Sequence, residues 1–226
     1  MFDLKNKLSR MFRSMALGPQ AFQLEQLLTA ADAGNAAEVT RAINHPKVNP
    51  YKLITDAACA LLDTQSETGW KTLVECTADL AKTKDIDTQT YYFGFFYGNA
   101  GYRGTVAMVE TVLTTAEKAG LGVDFQLNDQ LAFFVQASDK DEKCAAISEV
   151  LIKHGADLGK VPDILDSWVK GTNRNWDSTI AEAQVKAPQD VEEFKRRKEA
   201  GLKGLSEGQE AAQKFIAAHK PPAPGQ

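Results

Sequence analysis

The sequence predicts an all-α chain in which helical pairs stack as a repeat solenoid, with an N-terminal amphipathic helix and a C-terminal helical cap. Three observations predict it. Apolar residues recur at i, i+3, i+4 and i+7, the spacing that places them on one helical face. The stripes come in twos, divided by short turns. A hydrophobic residue followed by Asn or Asp recurs after each pair, at Val48-Asn49, Ile86-Asp87 and Val123-Asp124, and in weaker form at Leu158-Gly159, with spacings of 38, 37 and 35 residues. Such pairs cannot bury their faces alone, so stacking makes the shared core.

Residues 1–18 read as a separate basic helix. Leu4, Leu8, Met11, Phe12 and Met15 share one face, Lys5, Lys7, Arg10 and Arg13 lie off it, and Gly18-Pro19 ends the pattern. The net charge of this stretch, counting Asp3, is +3. Its apolar residues are interrupted, which is unlike a secretory signal. Three readings stand: a helix docked on the body, a membrane-surface anchor, or a targeting presequence. In the anchor reading Leu4, Lys5, Lys7, Leu8, Arg10, Met11, Phe12 and Arg13 meet an anionic lipid surface reversibly.

Residues 19–160 carry the pairs. Leu24, Leu27, Leu28 and Ala31 line one helix, and Val39, Ala42 and Ile43 line the next, with Gly34-Asn35 as the break. Further pairs are expected at 51–64 with 68–83, 89–99 with 103–119, and 127–137 with 141–154. The last ends on Ile147, Val150, Leu151 and His154, then Gly155, which closes a helix without a Cβ penalty. Lys153 suits the negative pole of that helix, and His154 reads as a helix-terminal histidine without a partner at ligand spacing.

The Ala33-Gly34-Asn35 turn, the Val39-x-x-Ala42-Ile43 second helix, and the run from Ile147 to Gly159 resemble ankyrin repeats, over about three fifths of the chain. An ankyrin unit is about 33 residues, so these units are slightly long. Pro50-Tyr51-Lys52-Leu53 and Thr90-Tyr91-Tyr92-Phe93 stand where ankyrin repeats carry Thr-Pro-Leu-His. The resemblance implies a concave surface offered to a protein partner.

The third pair is rich in rings: Tyr91-Tyr92-Phe93-Gly94-Phe95-Phe96-Tyr97, followed by Tyr102. In a helix these cover every side, so the helix is flanked twice or exposes some of them. One reading packs Tyr92, Phe93 and Phe96 between pairs. The other makes Tyr91, Tyr92, Phe95, Tyr97, Tyr102 and, in the next pair, Phe133 the partner-binding residues, since Tyr combines a large rigid body with a polar tip. On that reading Tyr91→Ala and Tyr97→Ala weaken binding and leave the melt almost unmoved. The glycines at 98–104 lack the strand and the Gly-Lys-Ser/Thr ending of a phosphate loop.

Residues 161–219 read as the cap. Val161, Ile164, Leu165, Trp168 and Val169 form one helix, Gly171-Thr172-Asn173 breaks it, and Trp176, Ile180, Ala183 and Val185 form another. After Pro188, Asp190 and Glu193 have capping-box spacing, and Glu192–Arg196 and Glu193–Arg197 are i,i+4 pairs. Lys195 to Lys198 read as a solvated basic face. Gly201, Gly204 and Gly208 weaken the helical pattern beyond it, and Ser206 to Gln209 cap a last helix holding Phe215 and Ile216. Residues 220–226, with three prolines, read as a disordered tail.

A chain of 226 residues with 43% apolar and 25% charged residues suits one or two soluble domains. A net charge of −4 argues against a general nucleic-acid binder. Cys59, Cys76 and Cys144 lack C-x-x-C spacing and read as reduced thiols of a cytoplasmic compartment. No run of about 18 apolar residues marks a membrane span. No paired carboxylates, Cys/His pair, Ser-His-Asp set or metal spacing stands out, so no catalytic residue, metal or cofactor is assigned. The expectation is a non-enzymatic scaffold or adaptor binding a protein partner. The alternative is a peripheral membrane protein recruited by its N-terminal helix.

Overall fold

The computed structural model of the chain describes residues 19–219, and among them there is helix and no strand. Ten α-helices occur in order: α1 over residues 19–32, α2 Ala36–Ile43, α3 Pro50–Asp63, α4 Glu67–Ala81, α5 Ile86–Arg103, α6 Val106–Ala119, α7 Leu127–Val135, α8 Glu142–Lys153, α9 Val161–Lys186 and α10 Val191–Ala218. The first eight fall as four pairs close to the expected positions. The chain divides into two compact units, residues 1–125 and 126–226. That boundary lies inside the stretch read as repeats, so α7 and α8 share a unit with α9 and α10.

Local chemistry starts these helices. Asn35, Asn49, Ser66, Asp85 and Thr105 each turn a side-chain oxygen onto a backbone N–H of the first turn. That satisfies one donor the helix itself leaves open. The α5 cap is Asp85, two residues before the Asp87 singled out by the repeat pattern. Gly34 and Gly155 take φ of +69° and +95° at helix ends, as the sequence implies.

In the first unit α2, α4 and α6 pack in succession, α3 packs on α5, and each of these two also packs on its hairpin partner, α4 or α6. Trp70, Phe93 and Phe96 lie fully buried at the centre, with Trp70 and Phe93 both edge-on to Phe96. The Trp70 indole N–H donates to the Met108 carbonyl at 3.0 Å, so the burial leaves no open donor there. The two hairpin ends are stitched differently. At the short turns, the Ser66 hydroxyl donates to Asp32 at 2.5 Å and the Thr105 hydroxyl to Glu67 at 2.6 Å. At the opposite end, the Gln20 side-chain oxygen accepts from the Asn49 N–H at 3.1 Å, and that of Gln89 from the Gly122 N–H at 3.3 Å. Gln20 meets Asn49 and Asp32 meets Ser66, so α1 and α3 run parallel; Tyr51 meets Tyr91 and Glu67 meets Thr105, so α3 and α5 do too.

In the second unit α7 packs on α8, α9 and α10. The Asn128 side-chain oxygen accepts from the Asp157 N–H at 2.7 Å, the same device as at Gln20 and Gln89. Lys198 meets Asp177 at 2.6 Å and Gln209 meets Asp166 at 2.8 Å. Both contacts are eleven residues apart along each helix, which makes α9 and α10 antiparallel.

Several expectations for the C-terminal region are corrected. Gly171-Thr172-Asn173 does not break the chain: α9 continues to Lys186. Trp168, Thr172, Trp176 and Ile180 repeat at i+4 and are all half-buried, so one stripe carries the helix through the glycine. Val185 is not on that stripe and is 83% exposed. Likewise α10 runs unbroken past Gly201, Gly204 and Gly208, and Ser206 to Gln209 cap nothing. Asp190 makes no side-chain cap bond; Pro188–Asp190 form a 3-10 turn, and Glu193 faces forward to Arg196 and Arg197. Glu192 pairs with Lys195 at 2.7 Å rather than with Arg196.

Candidate partner-binding face

The face is built on α5, whose eighteen residues bury one side and expose the other. Tyr92, Phe93, Phe96, Tyr97, Ala100 and Gly101 point into the first unit. Tyr91, Phe95 and Tyr102 succeed one another at i, i+4 and i+11 on the opposite side. Tyr91 is 55% exposed and Tyr102 72%, while Phe95 is half-buried. Between them Gly94 and Gly98 leave open space: a Cβ built at either would meet nothing within 4 Å.

The structure therefore splits the six candidate rings. Tyr92 and Tyr97 are each only 5% exposed and offer no surface to a partner. Their position on the buried side of α5 is the reason. Tyr97 packs against Phe125 with ring centroids 5.4 Å apart, and burial drives its phenol well above the usual range. The expectation that Tyr97→Ala spares stability is reversed. Phe133 is 42% exposed on α7 in the second unit, edge-on to buried Phe134.

One residue of the face is not among those the sequence points to. Tyr51, in the first turn of α3, lies 4.4 Å from Tyr91 and 5.6 Å from Tyr92 between ring centroids. Burial, and next the Tyr91 hydroxyl, push its phenol up to about 12. The signal for it lies in the repeat itself, since Tyr51 and Tyr91 occupy matching places in Pro50-Tyr51-Lys52-Leu53 and Thr90-Tyr91-Tyr92-Phe93. At the other end of the face Arg103 pairs with Asp63 and lies 3.8 Å from the Cys59 sulfur. At the near end the Asp85 carboxyl is held below its usual range, chiefly by the Thr88 N–H it accepts from.

A second concavity, of about 620 Å³, lies between α4 and α6. Lys71, Lys82 and Lys118 line it together with Glu75, Asp79 and Glu110. Neither sign dominates, so it selects no ion by charge alone.

Of the three thiols only that of Cys76 is buried, and those of Cys59 and Cys144 are half-buried. Cys76 is buried and sits 3.5 Å from the Ala36 carbonyl; burial raises its pKa. Burial and then Asp141 raise that of Cys144, which opposes thiolate formation. None of the three cysteines is in a disulfide. His154 C-caps α8, as its place before Gly155 implies. Among the described residues no group of three His, Cys, Asp or Glu is placed to hold a metal ion, and no helix is long and apolar enough to cross a membrane. Leu4, Lys5, Lys7, Leu8, Arg10, Met11, Phe12 and Arg13 lie outside the described residues. No protein-family model, curated protein or solved structure matches this chain.

Proposed function

We propose that the chain is a non-enzymatic protein-interaction module, a helical-pair repeat of ankyrin-like kind that binds a protein partner on the α3/α5 face of its first unit. The observation that carries this is the division of α5. Six residues on one side suffice to anchor the helix, yet Tyr91 and Tyr102 stand exposed on the other. Exposed tyrosines on a rigid helix lose little conformational freedom on binding and bury large areas, which is what interface anchors require. The repeat reading is supported by the recurring ties, Gln20 to Asn49, Gln89 to Gly122 and Asn128 to Asp157. The non-enzymatic reading is supported by the raised pKa values of Cys76 and Cys144 and by the mixed charge of the α4/α6 groove.

The test compares cross-linked capture by wild type and by Tyr91→Ala/Tyr102→Ala. The expected result is loss of the captured protein at an unchanged melting temperature. Undiminished capture of the same protein would move the contact surface elsewhere.

A further inference from the structure

Tyr51 and Tyr91 belong to neighbouring helices and meet on one face. Their ring centroids lie 4.4 Å apart at an interplanar angle of 38°. Aromatic pairs ordinarily sit at roughly 4.5–7 Å, so these rings are in full van der Waals contact. The Tyr91 hydroxyl stands beside that of Tyr51 and favours its protonated form. Ring against ring and hydroxyl beside hydroxyl, the two phenols bring their ortho carbons together. Tyr92 is farther from Tyr51, at 5.6 Å, and is buried, whereas Tyr91 is exposed and Tyr51 half-buried.

Both rings are held in place. Tyr51 follows Pro50 in the first turn of α3, and Asn49 caps that turn by accepting from the Lys52 N–H at 3.2 Å. Tyr91 stands in the second turn of α5, which Tyr92 and Phe93 anchor in the core beside it. A pair held in contact reacts without a bimolecular encounter, which is the largest saving that proximity offers.

Phenols have one reaction that needs this arrangement. A one-electron oxidant takes an electron and the hydroxyl proton from each, leaving two phenoxyl radicals whose spin is shared with the ortho carbons. Tyr91 meets the oxidant first. The ring contact lets Tyr51 pass an electron and proton to the Tyr91 radical, and Tyr91 is then oxidised again. Two ortho carbons form one C–C bond, and their hydrogens move to the oxygens as both rings regain aromaticity. The pair loses two electrons and two protons in all. One molecule of hydrogen peroxide, reduced at the haem of a peroxidase, takes them up and leaves as two molecules of water.

We propose that Tyr51 and Tyr91 form an oxidative modification site, at which a peroxidase and hydrogen peroxide join the two rings through their ortho carbons and so bolt α3 to α5. The bond closes the chain between residues 51 and 91 into a covalent loop, which confines the unfolded state. It also fixes the ring of Tyr91 on the α3/α5 face. The coupling needs no partner protein. Its failure leaves the binding reading standing, and undiminished capture by Tyr91→Ala/Tyr102→Ala leaves the coupling standing.

The test treats the full chain, dilute and folded, with a haem peroxidase and limiting hydrogen peroxide. The expected product is a monomer lighter by two hydrogen atoms, with the blue fluorescence of a biphenol. Trypsin should release residues 48–52 joined to residues 85–103, and fragmentation should place the bond on Tyr91 rather than on Tyr92, Tyr97 or Tyr102. Tyr51→Phe and Tyr91→Phe keep the ring packing and should each abolish this product, while Tyr102→Phe should form it as wild type does. The chain unfolded in urea should lose it. The joined monomer should melt several degrees above the untreated chain. Dimers alone, a bond on another tyrosine, or equal yields from folded and unfolded chain would overturn the proposal. So would the same product from either Tyr51→Phe or Tyr91→Phe, or a joined monomer that melts no higher.

Discussion

Tyr97 carries a hydroxyl that is buried and, among the described residues, has no hydrogen-bond partner. Leaving such a group unsatisfied costs about 1–3 kcal/mol. Tyr97→Phe should therefore melt no lower than wild type, and up to several degrees higher. Tyr97→Ala should lose about 3–5 kcal/mol to the cavity it leaves. A urea titration of the two variants separates these outcomes. Tyr51 adds a pH dependence. Its phenol titrates at about 12 in the folded chain instead of the usual 10.0. The folded state therefore keeps the proton longer than the unfolded one, and its contribution to stability is complete below pH 10 and lost as pH rises toward 12. Tyr51→Phe should flatten the decline of melting temperature over that window; an identical slope would assign the decline to other groups. At this scale the sequence is half legible. A run of rings announces that some are core and some are surface, but a helix with rings on every side has no period to sort them. Only the packing of α4 and α6 against one flank decides that Tyr92 and Tyr97 turn in and Tyr91 and Tyr102 turn out.

Helices α1 to α8 are legible because their apolar stripes mark the helical faces and because Gly34-Asn35 and Gly155 mark two of the breaks; the caps at Ser66 and Asp85 emerge only in the structure. Helices α9 and α10 are not, because a glycine suggests a stop where it is only a weak spot. A mid-helix glycine costs about 1 kcal/mol relative to alanine, less than a continuous buried stripe supplies. The glycines of these two helices differ in a measurable way. A Cβ at Gly171 meets nothing within 4 Å, so Gly171→Ala should raise stability by about 0.5–1 kcal/mol. A Cβ at Gly208 would lie 2.7 to 3.0 Å from Gln136, which α10 crosses there. Gly208→Ala should lower stability by about 1–3 kcal/mol. Thermal melts of the two variants moving in the same direction would show that one of these sites is wrongly described. Asp190 fails as a capping box for a related reason: Pro188 imposes a 3-10 turn that sets Asp190 in helical backbone geometry, and a cap needs an extended residue.

The division at residues 125 and 126 is not legible, since the repeat spacing continues across it without a composition shift. The first unit holds its own buried centre of Trp70, Phe93, Phe96 and Met108. Residues 1–125 expressed alone should melt cooperatively by circular dichroism, and a sloping, non-cooperative melt would show that this core needs the second unit. The side-chain clasps have a further consequence. Asn49, Gly122 and Asp157 lie in connecting segments, where backbone amides ordinarily exchange with solvent in an instant. Each is instead engaged by an amide side chain about thirty residues earlier in the chain. In deuterium labelling these three should lose their protection in Gln20→Ala, Gln89→Ala and Asn128→Ala respectively, while Leu121 and Lys160, whose amides donate to the Ala116 and Asp157 carbonyls, should exchange as in wild type. Slow isotope uptake at isolated loop positions would then mark where one pair closes and the next begins, giving the molecule a ruler readable in solution.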